Sequence, residues 1–396
     1  MTRLPAAIVA LAVVTAACTS GAILANPMPA GPVVTPAPTP TAPPPDPRPL
    51  VLPADDAPHE RLTEWWYYTG HLRDDAGGRW GFEYVIFRAE RGGFPVTWAS
   101  HLALTDETGG TFRYAQRSEI GPQVDVGAGA AGAAGGFALA ISGFDPTADA
   151  LIAREPWTMA GSDGTDRLHA AAAMDEVAGL SARAAFTLDL RLRATKPPAL
   201  HNRIGWIDFG PAGGSYYYSR TAMTATGSLG VDDRTLRVDG SAWFDHQWGD
   251  FIAIGGGGWD WFAVNLDDGT DLTLSLVRNA DGSYPLVYGT LVEPDGEARH
   301  LDRDAFAVEV IDRWQSPRTG ADYPAGWRIA VPSDSLEIRL APTVADQELD
   351  TRATTGVVYW EGSQVVRATR DGRSLGGEAY VELTGYAPGD PGSRQP

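Results

Sequence analysis

The segment from Ala184 to Arg193 alternates without a break. Phe186, Leu188, Leu190 and Leu192 fall on one face, and Thr187, Asp189, Arg191 and Arg193 on the other. A period of two marks a half-buried strand and cannot serve a helix, whose apolar stripe returns every ~3.6 residues. The pattern recurs where Trp80, Phe82, Tyr84 and Ile86 alternate with Gly81, Glu83, Val85 and Phe87. Trp259 to Leu266 and Leu272 to Arg278 flank Asp267-Asp268-Gly269, a hairpin signal. Further turns are expected at Asp281-Gly282, Pro294-Asp295-Gly296 and Asp371-Gly372. No stretch after residue 55 carries a long helical period. Short strands with regular turns predict an all-β chain built as a sandwich or barrel.

The N-terminus reads differently. Arg3 precedes an apolar stretch, Leu4 to Ala17, interrupted only by Pro5 and Thr15; small residues then lead into Cys18, the single cysteine. This is the pattern of a lipoprotein signal over residues 1–17, with Cys18 as the lipidation site; an ordinary secretory peptide cut near Ala25 is the alternative. The run is shorter than the roughly 20 residues a membrane span needs. One thiol excludes an internal disulfide framework and any multi-cysteine metal site. Twelve prolines lie between Pro27 and Pro53. Such a segment favours extended polyproline II and cannot bury a core, so residues 18–55 are expected to be a disordered linker. The expected product is exported and tethered to a membrane, on its periplasmic or cell-surface side.

With Asp plus Glu at 50 against Lys plus Arg at 31, and no basic run, the chain has no electrostatic footprint for nucleic acid. No His-Glu-x-x-His or other metal spacing, phosphate loop or dinucleotide fingerprint is present, so neither metal nor cofactor is expected. Gly372-Arg373-Ser374-Leu375-Gly376 matches the hydrolase elbow in letters, but it follows a turn and precedes a strand, where an elbow needs strand, turn and helix.

A weak internal repeat divides the body. Tyr218, Arg234, Leu236 and Ala242-Trp243-Phe244-Asp245 parallel Tyr359, Arg373, Leu375 and Ala379-Tyr380-Val381-Glu382. Two related barrels follow, expected at 56–235 and 236–390.

Aromatic residues cluster. Trp65-Trp66-Tyr67-Tyr68 opens the body, and Trp243, Trp248, Trp259 and Trp261 surround Asp245-His246. They either fill barrel cores or line a cavity for an apolar ligand. Glu64, Arg88, His101, Arg220, Asp245 and His246 interrupt the apolar runs as structural ion pairs or as anchors for a ligand's polar end. His246 titrates near neutrality and stands beside Asp245 and Trp248, which makes it the best single candidate for an acid.

Glu64-Trp65-Trp66-Tyr67-Tyr68-Thr69-Gly70 resembles the opening of the AttH-like family, which includes bacterial carotenoid hydratases of the hydroxyneurosporene synthase type. Gly81-Phe82-Glu83-Tyr84, Tyr217-Tyr218-Ser219-Arg220, Ala242 to Gly249 and Gly377 to Tyr386 extend the resemblance from about Asp56 to Tyr386. It implies two tandem lipocalin-like antiparallel β-barrels with a cavity near or between them. In the hydratase branch an acid protonates an isoprenoid double bond, and the resemblance places that acid on the strand after His-x-Trp. Here that strand, Leu272 to Val277, holds no acid, and Asp271 sits at its mouth. The leading expectation is therefore a tethered carrier of an apolar, lipid- or isoprenoid-like molecule, possible partner of a transporter permease. Trp65, Trp66, Tyr67, Tyr218, Trp248, Trp259 and Trp261 would supply its walls; Glu64, Arg88, His101 and Arg220 would supply its polar contacts. The alternative is a hydratase-, cyclase- or hydrolase-type enzyme using His246 or Asp245 as proton donor.

Overall fold

The computed structural model describes residues 46–127, 135–143, 154–179, 184–251 and 256–389. Cys18, the expected signal segment and most of the proline-rich stretch lie outside the described residues. Among the described residues there is no α-helix, and every strand pairing is antiparallel.

The first sheet opens with β1 (Thr63–Asp74), β2 (Arg79–Ala89), β3 (Thr97–Asp106) and β4 (Thr111–Ile120). It continues through β5 (Phe137–Ile141), β6 (Trp157–Ser162), β7 (Thr165–Ala172) and β8 (Phe186–Ala194). Two short strands, β9 (Ala199–Leu200) and β10 (Trp206–Asp208), precede the long pair β11 (Gly214–Val231) and β12 (Arg234–Gly249). The second sheet opens with β13 (Gly256–Leu266), β14 (Asp271–Asn279), β15 (Leu286–Val292) and β16 (Ala298–Leu301). It adds β17 (Ala307–Gln315), β18 (Asp322–Val331), β19 (Leu336–Pro342) and β20 (Glu348–Asp350). β21 (Val358–Arg370), β22 (Arg373–Leu375) and β23 (Gly377–Thr384) complete it.

The two sheets share one plan. The first runs β4-β3-β2-β1-β12-β11-β8-β7-β6-β5, the second β16-β15-β14-β13-β23-β21-β19-β18-β17. Each begins as a four-stranded meander, and its last strand returns beside its first. The sheets curl into barrel-like halves, as tandem lipocalin-like barrels do. The repeat read from the sequence is this closing pair. Asp245 on β12 faces Tyr67 on β1, and Glu382 on β23 faces Trp261 on β13, so the two acids hold equivalent positions.

Two expected boundaries move. Residues 236–249, assigned to the second domain, belong to β12 and close the first sheet; the chain passes to the second only at β13. The packed body also begins before residue 56. Leu50 and Leu52 lie on the first core, and Asp55 and Asp56 are buried. The physical cause is Asp56, whose carboxylate meets the Arg220 guanidinium at 3.0 Å.

Strand alternation distributes the aromatics over two environments. On β1, Trp66 and Tyr68 point into the first barrel with Phe244 and Trp248 of β12. Their neighbours Tyr67 and Trp243 point outward, where they meet Trp261 and Tyr380 of the second barrel. Each such buried side chain contributes about 1.5–3 kcal/mol, so this layer binds the halves as a core does. The second barrel keeps its own interior, with Phe262, Trp327 and Trp360 at the centre.

Candidate active site

The outward faces of β1, β12, β13 and β23 do not close completely. They leave a cavity of about 420 Å³ between the barrels. Trp65, Phe87, Trp259, Trp261, Val277 and Leu286 form its apolar wall, and Asp245, Glu382, Glu83, Tyr217, Tyr288 and Tyr359 supply polar groups. This size lies within the range of about 300–1,000 Å³ typical of small-molecule sites.

Three carboxyl groups, Glu83, Asp245 and Glu382, line this space, and a fourth, Glu361, lies behind it on Tyr67. Asp245 is held by three donors: Trp243 Nε1 to Oδ1 at 2.7 Å, Ser219 Oγ to Oδ1, and Tyr217 Oη to Oδ2. Trp261 Nε1 donates to Tyr217 Oη at 3.0 Å and fixes that phenol. Burial pushes the Asp245 carboxyl up to about 6, against the pull of its donors. Glu382 keeps its side chain toward the void, only partly covered. Burial, with the Asp245 charge adding to it, pushes Glu382 up to about 7.

Glu83 and Glu361 lie deeper, one from each barrel. Tyr359 Oη donates to Glu83 Oε1 at 2.8 Å, and Tyr67 Oη donates to Glu361 Oε1 at 2.8 Å. Each tyrosine thus reaches across to the other barrel's acid. Burial pushes Glu83 up to about 8, and Glu361 well above the carboxylate range, with the Glu83 charge as its next cause. Four acids in a desolvated interface oppose stability, which makes them the candidates for a functional role.

The residues expected from the sequence are divided by this geometry. Trp65, Tyr67, Arg88, Asp245, Trp259 and Trp261 line the cavity. His101 stands just behind the wall, its Nδ1 2.7 Å from Tyr359 Oη. Burial pulls His101 down to about 3, so it is neutral. Glu64, Trp66, Tyr218, Arg220, His246 and Trp248 are not at the cavity. They fill the interior of the first barrel, because adjacent strand residues face opposite ways. Asp245 and His246 therefore do not form one site. Arg220 is committed to Asp56, and Tyr218 Oη also donates to Asp56. Asp271 is tied to Lys196 Nζ at 2.7 Å and does not line the cavity. Ser374 lies exposed on β22, with no elbow around it.

His246 belongs to a separate buried set. Glu64 Oε1 lies 2.9 Å from His246 Nε2 and 2.7 Å from His59 Nδ1. His59 stacks on Trp248 with centroids 4.1 Å apart. Three such ligand types match a metal site in number. Here Glu64 bridges the two imidazoles by hydrogen bonds, and His246 Nδ1 has no partner among the described residues. Burial lowers His246 and outweighs the Glu64 charge, so its imidazole is neutral and enclosed.

A family profile described as AttH-like covers residues 43–386. The chain belongs to the AttH-like family. An AttH crystal structure from Nitrosomonas europaea is 31% identical, with 86% of this chain and 98% of that one covered at a TM-score of 0.68. Kievitone hydratase from Nectria haematococca shares the AttH-like fold at 16% identity and a TM-score of 0.60, covering 85% of this chain and 93% of its own. No curated protein matches the sequence.

Sequence reasoning had not assigned Glu83, Tyr217, Trp243, Tyr359, Glu361 or Glu382 to the site. The signal for Glu382 was present, since the repeat sets it opposite Asp245. Glu83 and Glu361 gave no pairing signal: the tyrosine that each accepts from lies more than 250 residues away along the chain.

Proposed function

We propose that the inter-barrel cavity is the active site of an acid–base enzyme that adds water to an electron-rich double bond of an apolar substrate. The observation that carries this reading is the pair Glu382 and Asp245. One acid is poised near neutrality and faces an apolar void, and the other lies slightly lower and is held by three donors. Burial raises both carboxyls, and the three donors on Asp245 favour its charged form, which assigns Glu382 as acid and Asp245 as base.

Glu382 delivers its proton to one alkene carbon, and the π electrons form the new C–H bond. Trp65, Trp259 and Trp261 line the space in which the cation forms, and aromatic rings stabilise such a charge. A water oxygen then bonds to the cationic carbon while ionised Asp245 accepts the proton released. The same fold occurs in a protein named as a hydratase, kievitone hydratase, which supports the reading by analogy of fold. Export and a lipid tether at Cys18 belong to the same proposal and place the cavity near membrane-borne apolar molecules; mass spectrometry of the mature N-terminus tests them.

The deciding experiment incubates the purified chain with a panel of isoprenoid alkenes in ¹⁸O-labelled water. Hydration places ¹⁸O in the product, and Glu382→Gln stops turnover while binding persists. Tight binding with no conversion of any member would reject the enzyme and leave the carrier with its permease partner.

A further inference from the structure

The cavity carries opposite charge at its two ends. Among the described residues that line it, the bases are Arg88, near the end of β2, and Arg91, in the turn after it. The acids are Glu83, Asp245 and Glu382. β1 measures the separation, since Thr63, Trp65 and Tyr67 share one face and all line the cavity. Thr63 is level with Ala89 at the end of β2, and its Oγ1 accepts from Arg91 Nη2 at 3.4 Å. Tyr67 is level with Asp245. The Tyr67 ring meets that of Trp261 with centroids 5.3 Å apart, and Trp261 is level with Glu382. Tyr67 stands four residues on from Thr63 in β1. At ~3.3 Å per strand residue, the arginine end and the acid end lie about 13 Å apart. The two arginines differ. Arg88 is committed within the protein: Nη2 donates to Glu90 Oε1, Nη1 donates to Arg61 O at 3.3 Å, and the guanidinium lies over the Trp98 ring. Arg91 is exposed and donates to neutral oxygens, those of Leu62 O, Glu90 O and Thr63 Oγ1. Its charge meets no carboxylate among the described residues.

We propose that Arg91 binds an anionic end group, a carboxylate or a phosphate, on an isoprenoid chain that enters the cavity tail first. The inference rests on the hydration reading and names the substrate class of that same cavity. A guanidinium offers paired N–H donors that match either anion, whereas a hydrocarbon or alcohol end gives its charge no partner. The reverse orientation would strip the anion of water and set it beside ionised Asp245. At the rim the head keeps its hydration, and Trp65, Phe87, Trp259 and Trp261 receive the chain. Orientation then decides which double bond reaches the acids. The contact between head and guanidinium takes about 3 Å, and the remaining ~10 Å takes about nine bonds of extended chain, at ~1.2 Å per bond. Along a chain of isoprene units this reach ends at the third double bond from the head. Glu382 gives its proton to the less substituted carbon of that bond, and the π electrons form the C–H bond. A water oxygen bonds to the tertiary carbon, Asp245 accepts the proton released, and the anionic head leaves unchanged. The hydroxyl therefore belongs on the third isoprene unit.

The test uses the full chain and three probes with one tail: geranylgeranoic acid, geranylgeranyl phosphate and geranylgeraniol. Affinity is read at low salt by quenching of tryptophan fluorescence. At least one anion should bind about fivefold more tightly than the alcohol, and the preferred anion names the head. Arg91→Gln should erase that ratio, and Arg91→Glu should invert it. Because Arg91 is exposed, both variants should keep the wild-type midpoint of urea unfolding. In ¹⁸O-labelled water, fragmentation of the product should place the label on the third isoprene unit from the head. Anions that bind no better than the alcohol, or three probes that all fail to bind, overturn the proposal. So does a preference that survives Arg91→Gln, or a label on another unit. The two readings fail separately. A preference that Arg91→Gln erases, with no label taken up, rejects the hydratase and keeps the anion site. Label taken up with no preference for either anion rejects the anion site and keeps the hydratase.

Discussion

Asp245 and His246 are neighbours in sequence and strangers in space. One faces the cavity and the other the first barrel's interior, because a strand turns successive side chains to opposite sides. At this scale the acid assignment has sharp consequences. The rate should fall as pH rises through about 7, where Glu382 loses its proton, and as pH falls through about 6, where Asp245 gains one. A bell-shaped profile with those limbs is the expected measurement. Glu382→Gln should lower the rate by about 10²–10⁴-fold and remove the upper limb. Asp245→Asn turns an amide N–H₂ toward groups that all donate: Ser219, Trp243 and Tyr217. It should lose activity and about 1–3 kcal/mol of stability, read by urea unfolding. Asp245 was legible in the sequence as an acid among tryptophans; the donors that make it an anion at neutral pH were not, since Ser219 and Tyr217 lie on a different strand.

The strands themselves were the easiest feature to read. β8 shows in three dimensions the alternation seen in its letters, with every second residue buried. Gly269, Gly282, Gly296 and Gly372 sit at positive φ in turns that the Asp-Gly pairs announce. What an isolated strand hides is which face meets water and which meets another sheet. β2 and β21 illustrate this, for each carries a glutamate into the interface. Glu83, at about 8, stays protonated in the folded state at pH values where the unfolded chain, near the ordinary 4.5, has lost its proton. Folded protein then binds more protons than unfolded, so stability falls as pH rises from about 4.5 to about 8 and levels above it. Glu83→Gln keeps an acceptor for Tyr359 and should flatten this slope. The gain near pH 8 is on the order of a few kcal/mol, measured by urea unfolding across that range.

Across the whole molecule, the two barrels divide the work. The first fills its interior with aromatics and with the segment around Ala54–Asp56, so neither His246 nor Trp248 can meet a ligand there. Asp56 and Arg220 form the central ion pair of that filling. Asp56→Ala leaves Arg220 charged and unpaired, and should cost about 3–5 kcal/mol in urea unfolding. The same loss is expected of any truncation that removes residues through Asp56. Lys196 of the first barrel grips Asp271 of the second, which adds a polar clasp to the aromatic layer between them. The cavity belongs to neither barrel alone.

From the order of its residues alone, the chain was committed to all-β structure, to a duplicated closing hairpin and to acids interleaved with clustered aromatics. These are local properties: the period of two, the turn chemistry and the repeat are written within short windows of sequence. Tertiary structure decided which half of each alternating strand forms the site. The outward residues were chosen because two similar sheets pack face against face, and packing desolvates Glu83, Asp245, Glu361 and Glu382 together. Their raised proton affinities come from that shared burial, which exists only once both barrels are folded against each other.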